Sequence, residues 1–128
     1  MSNSFAWKTK FKSIIIVDSE LFQNEYEINI HITPYTADLQ EQTKYFDRIK
    51  NLFDFVLSNT ITTWRDEPLY KNLIKHSKNR FIELPRPPYD QIMAAVCFCK
   101  ANSILEGKII VNKIELSSWQ GDGITYTV

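Results

Sequence analysis

Glu25-Tyr26-Glu27-Ile28-Asn29-Ile30-His31-Ile32-Thr33 alternates without a break. Tyr26, Ile28, Ile30 and Ile32 fall on one side. Glu25, Glu27, Asn29, His31 and Thr33 fall on the other. A period of two is that of a β-strand. The segment is therefore predicted to be a strand with one buried face and one wet or ligand-facing face, ended by Pro34.

Upstream, Phe11 to Val17 is rich in β-branched residues and reads as a first strand, followed by polar Asp18-Ser19-Glu20. Residues 1–10 are expected to be a loosely held arm, despite Phe5 and Trp7, with residues 11–128 forming one domain. Downstream, Asp38 is an N-cap candidate and Glu41 lies at capping-box spacing. Tyr45, Ile49, Leu52, Phe53 and Val56 then recur at helical spacing until Ser58-Asn59. Residues 60–66 read as a loop. Asp66 before Pro68 suggests the start of a short helix over Pro68 to His76, and Phe81 to Leu84 a brief extended piece. Pro85, Pro87 and Pro88 break regular structure.

A second long helix is predicted from Tyr89 to Leu105. Ile92 to Cys99 makes it apolar almost all round, so it is expected to be buried on several sides. Gly107 suits the position after its end. Lys108 to Ser117 reads as a strand with Ile110, Ile114 and Leu116 on one face. Gln120-Gly121-Asp122-Gly123 reads as a turn, and Ile124, Tyr126 and Val128 alternate in a final strand. The expected class is α+β: an antiparallel sheet of about four strands in β-β-α-α-β-β order, with helices on one face. Its exposed edges invite pairing between subunits, so a homo-oligomer is expected.

The 128 residues carry 15 Lys+Arg and 15 Asp+Glu. A zero net charge argues against a dedicated nucleic-acid binder. With 3 glycines there is little material for a phosphate-cradling loop. No apolar run approaches the ~18–20 residues that span a bilayer, so no membrane partner is expected. Met1-Ser2-Asn3-Ser4-Phe5 has no basic region followed by an apolar segment, so no secretory leader is expected. Cys97 and Cys99 would point about 200° apart on a helix, which suits reduced thiols and a cytoplasmic location. Their spacing fits neither a redox pair nor a zinc knuckle.

Three segments carry a resemblance to a known superfamily. Asn24-Glu25-Tyr26-Glu27-Ile28-Asn29-Ile30 stands at a second strand, Tyr45-Phe46-Asp47-Arg48-Ile49-Lys50 in a first helix, and Lys113-Ile114-Glu115-Leu116-Ser117 in a strand after the second helix. Over about 100 residues, this order resembles the tunnelling fold, which includes 6-pyruvoyl- and 6-carboxy-tetrahydropterin synthase. The resemblance implies a pocket between subunits, with Glu115 as anchor for the N–H edge of a pterin ring. An ionised carboxylate suits that job because it offers two acceptor oxygens.

The departures from the family bear on its chemistry. The synthases hold zinc with three histidines, two of them in a His-Gly-His segment whose positions here correspond to Phe22 and Asn24. His31 and His76 are the 2 histidines of the chain. The family's catalytic cysteine has no counterpart, since Cys97 and Cys99 lie on another element. Neither metal nor other cofactor is expected. Catalysis stays open, because urate oxidase and dihydroneopterin aldolase types act without metal.

The candidate ligand-binding residues are thus Glu115 and Asn29. His31, on the same polar face, is a candidate general acid/base, since an unperturbed pKa of ~6.5 suits proton transfer. His76 sits where it would favour a helix dipole, and Asp90 where an acid caps a helix. Trp64-Arg65-Asp66 is a loop cluster that could anchor a ligand or pack on the domain. Lys71, Lys75, Lys78, Arg80 and Arg86, with Tyr70 and Tyr89, form a modest basic region, better read as a solvated face. Three functions follow: a metal-free binder of a pterin- or purine-like heterocycle, a non-catalytic protein that uses the fold for assembly, or, behind these two, a nucleic-acid accessory protein using Tyr70, Arg80 and Arg86.

Overall fold

The computed structural model describes residues 3–128. Its strands are β1 (Phe5–Val17), β2 (Glu20–Pro34), β3 (Thr60–Trp64), β4 (Phe81–Leu84), β5 (Ile109–Ser118) and β6 (Tyr126–Thr127). Its helices are α1 (Leu39–Asn51), α2 (Tyr70–His76) and α3 (Asp90–Ser103). The strands form one 6-stranded sheet in the order β4-β3-β1-β2-β5-β6. The class is α+β, as expected. The sheet is mixed rather than antiparallel, and two strands wider than predicted, because β3 lies parallel to β1 and β4 parallel to β3.

β1 and β2 form a long hairpin from Phe5↔Ile32 to Val17↔Glu20. Asp18 and Ser19 make the two-residue turn at φ 50° and 65°, the left-handed pair that matches the twist of the flanking strands. Of the expected arm, Met1 and Ser2 lie outside the described residues, whereas residues 5–10 are strand. Lys8, Lys10 and Lys12 occupy the polar face there, while Trp7 and Phe11 turn inward.

β3 is a second correction. Thr60-Ile61-Thr62-Thr63 is buried throughout, so it lacks the alternation that marks a half-wet strand. The Ser13 hydroxyl joins it to β1, donating to the Thr60 carbonyl oxygen at 2.9 Å and meeting the Thr62 hydroxyl at 2.7 Å.

The inner face of the hairpin and of β5 packs on α1, on the π-helical turn Leu52–Val56 that follows it, and on α3, through Tyr26, Ile28, Ile30, Phe53, Met93 and Cys97. Asp38 caps α1, its Oδ1 accepting from Gln40 N at 2.9 Å and Glu41 N at 3.4 Å. α2 begins at Tyr70 after Leu69 rather than from an Asp66 cap. Tyr70 packs on Phe81, ring centroids 5.6 Å apart. By strand alternation Phe81 leaves β4 opposite to Ile82 and Leu84, so the helices do not all share one face. α3 is buried on one side only: Met93, Ala94, Cys97 and Ala101 face the core, while Ala95 and Cys99 are exposed. Among the described residues, no helix is long and apolar enough to cross a membrane.

β5 carries two features that position the site. The register to β2 shifts between His31 and Ile32, where His31 pairs Lys113 but Ile32 pairs Val111. This bulge leaves Asn112 extra and changes the phase of the strand. Ile109 and Val111 face the core before it, Ile114 and Leu116 after it. The single face expected for Ile110, Ile114 and Leu116 is thereby corrected: Ile110 lies on the other side. On the outer edge of β5, the Asn102 side chain of α3 donates to the Val111 carbonyl oxygen at 3.0 Å and accepts from Val111 N at 2.9 Å. It fills the place of a neighbouring strand.

Candidate functional site

The polar face of the sheet brings Asn29, His31 and Glu115 together. Asn29 lies directly opposite Glu115, and His31 opposite Lys113. Residues opposite each other or on a diagonal are within side-chain reach. His31 Nε2 lies 2.6 Å from Glu115 Oε1, and Asn29 Nδ2 donates to the same oxygen at 3.1 Å. A carboxylate accepts only, so the short contact puts the proton on Nε2 of the imidazole. Asn29 Nδ2 and His31 Nε2, 3.3 Å apart, are then both donors aimed at one acceptor.

That arrangement sets the charge of the site. The hydrogen bond from His31 holds the Glu115 carboxyl below its usual range, aided by Lys113 and Asn29 against a desolvation cost. Glu115 is an oriented, ionised acceptor. Its side chain keeps 33% exposure and His31 32%, so both remain within reach of solvent. Glu115 and Asn29 line a hollow of about 550 Å³ with Lys8, Lys10, Glu27 and Ser117. His31 stands behind Glu115 rather than on the wall. Its Nε2 is occupied by the carboxylate, while Nδ1 makes no hydrogen bond among the described residues.

The other candidates lie elsewhere. His76 ends α2 and is exposed. Burial pushes the Cys97 thiol up to about 12, and Cys99 is exposed on the far side of the helix. Trp64 closes β3 and packs against the core. Arg80 donates to the Ser58 carbonyl oxygen at 3.0 Å, and Tyr89 stands at the N-cap of α3.

Sequence reasoning missed Glu67, and it singled out Asp90 as a cap without its burial. Glu67 Oε1 accepts from Ser19 N at 2.7 Å, which ties the hairpin turn to the loop before α2. Asp90 is the first residue of α3 rather than its cap. Its carboxylate accepts from the Ser118 hydroxyl at 2.8 Å, and burial raises its pKa despite that bond. The available signal was an acid standing between a proline break and an apolar helix.

No family model matches the sequence, and no curated protein matches it. Solved structures do match. An uncharacterized protein from Wolinella succinogenes is similar at 13% identity and a TM-score of 0.71, over 100% of this chain and 98% of that one. A catalytic-residue mutant of 6-pyruvoyltetrahydropterin synthase from Plasmodium vivax is similar at 8% identity and TM-score 0.59, over 100% and 97%. The Plasmodium falciparum 6-pyruvoyl tetrahydropterin synthase gives 10% and 0.58, over 99% and 96%. The chain has the tunnelling fold. What it shares with these proteins is architecture.

The zinc of the synthases does not fit the residues present. Phe22 has no donor atom. Asn24 Oδ1 accepts from Glu25 N at 3.0 Å and from Gln120 N at 3.1 Å. Among the described residues, no three His, Cys, Asp or Glu side chains are grouped to hold a metal ion.

Proposed function

We propose that this chain binds a planar nitrogen heterocycle, of pterin or purine type, on the polar face of a homo-oligomeric tunnelling fold in the cytoplasm. Glu115 accepts from the N–H edge of the ring through Oε2, which has no hydrogen bond to the described residues. His31 and Asn29 hold the carboxylate through Oε1. The observation that carries this reading is the pair of donors converging on one oxygen of an ionised Glu115 at the wall of a hollow. Such convergence orients a carboxylate before a ligand arrives, which lowers the cost of binding.

The test is a thermal-shift screen of pterins and purines on protein of measured oligomeric mass. A ligand at 100 times its dissociation constant adds about 2.7 kcal/mol of stability. A shift that disappears in Glu115→Ala supports the reading. No shift from any of these heterocycles with a folded oligomer sinks it.

Assembly without a ligand is the second reading, favoured by the hairpin. β3 pairs β1 only at Ser13–Ile15, and Asn59 N donates to the Lys12 carbonyl oxygen at 2.7 Å, so Phe5 to Phe11 has no strand beside it on that side among the described residues. An open edge of that length is a template for another chain. A stable oligomer that binds none of the heterocycles would favour assembly.

A further inference from the structure

On the face of the sheet that carries Glu115, but nearer the hairpin turn, a second hollow of about 320 Å³ opens. It shares no lining residue with the hollow at Glu115. Its floor is a row across three strands, in which Ile14 stands between Gln23 of β2 and Ile61 of β3. Residues in register in this way share a face. The Trp119 indole forms a wall. It is 57% exposed, and Lys12 Nζ lies 5.8 Å from its ring centroid. Asn59 and Asn79 complete the lining, and no Asp or Glu belongs to it.

The backbone around the hollow is pinned. Asn59 N donates to the Lys12 carbonyl oxygen at 2.7 Å, and Ile61 N to the Arg80 carbonyl oxygen at 2.9 Å. These bonds tie the segments of both asparagines to the sheet. The Gln120 side chain donates to the Gln23 carbonyl oxygen at 3.0 Å, which holds the turn that bears Trp119. By contrast, the Lys12 ammonium has no ion pair among the described residues. The side-chain amides of Gln23, Asn59 and Asn79 make no hydrogen bond to those residues either.

Each feature narrows the ligand. A wall without an acid does not select a cation. One unpaired ammonium favours a single negative charge. A primary amide both donates and accepts, as a hydroxyl does, so three of them suit a ring with several hydroxyls. The electron-rich face of the indole suits the C–H side of such a ring. We propose that this hollow binds a sugar ring bearing one carboxylate, the chemistry of a uronic acid. The carboxylate meets Lys12, the ring lies on Trp119, and the hydroxyls bond the amides. Walls pinned before the ligand arrives lose less freedom on binding. The site does not depend on the heterocycle reading.

The experiment is an NMR titration of the full chain with methyl glucuronide, and with methyl glucoside as its uncharged counterpart. The expected result is saturable shifts at the Trp119 indole N–H and at the amides of Lys12, Gln23, Asn59 and Asn79. The glucoside should bind about three- to fivefold more weakly, the effect of losing one ion pair at an exposed site. Lys12→Gln should bind the two sugars equally. Trp119→Ala should weaken both roughly tenfold. Both side chains are exposed, so both variants are expected to fold; if Trp119→Ala does not, the preference in Lys12→Gln decides. No saturable shift at about 50 mM probe, equal binding of the two sugars by wild type, an unchanged preference in Lys12→Gln, or unchanged binding in a folded Trp119→Ala would each overturn the proposal.

Discussion

Glu115 Oε1 and His31 Nε2 meet at 2.6 Å across the diagonal between two antiparallel strands. Asn29 supports the same oxygen from directly opposite. The acid limb of stability should report this contact. The folded pKa of Glu115 is depressed, so its contribution is full above the unfolded carboxylate pKa of ~4.3 and is lost as pH falls through the lower folded value. Thermal unfolding of wild type and Glu115→Gln should differ at neutral pH and converge in strong acid. A constant difference at all pH values would show that the contact is not electrostatic.

His31 should act through Glu115 rather than on a ligand. His31→Ala is expected to weaken heterocycle binding roughly tenfold, as one charge-assisted hydrogen bond to the anchor is lost, with Glu115→Ala costing more. Calorimetric titration of both variants with the best ligand of the screen checks the order. A reversed order would place His31 on the ligand itself.

Phe53 is fully buried and meets Trp7 and Phe11 at ring-centroid distances of 6.2 and 6.1 Å. Phe53→Ala should cost about 3–5 kcal/mol in denaturant unfolding. A cost below ~1 kcal/mol would mean that residues 5–11 do not hold the inner face of the sheet.

Asp90 should show the opposite pH sign to Glu115. Its folded pKa is raised by burial, so stability declines as pH rises through the interval between the unfolded and folded values. Asp90→Asn should therefore gain on wild type from acid to neutral pH. Gly121→Ala, which drives a methyl into Oδ2, should destabilise by about 1–3 kcal/mol. Unfolding curves across that pH range check both.

Asn102 satisfies both backbone groups of Val111 at the outer edge of β5. Asn102→Ala should lose about 0.5–1.5 kcal/mol per hydrogen bond and expose that edge to pairing. Sedimentation over a range of concentrations should show greater self-association than wild type. Unchanged sedimentation would mean that the edge is protected by other means.

Much of this was legible in the chain. The alternation in 25–33 established β2 and its two faces, which put Asn29 and His31 side by side on the polar one. Glu115 entered only through the family resemblance, since the register that sets it opposite Asn29 depends on distant pairing. β3 was missed because Thr60 to Thr63 is buried on both sides and so shows no alternation. The first half of β1 reads as an arm because Lys8 and Lys10 mask the inward-facing Trp7. Asp90 was read as a cap because nothing local announces the Ser118 hydroxyl beside it.

The bulge at Asn112 has a consequence for descent. Every residue of β5 beyond it is displaced by one step relative to those before it. Removing Asn112 would join Val111 to Lys113 in unbroken alternation and leave Glu115 opposite Asn29 on the polar face. Relatives of this chain could therefore carry or lack the bulge and still present the carboxylate on the same side. The partner across the strand pair, rather than the number of residues from the start of β5, identifies the glutamate.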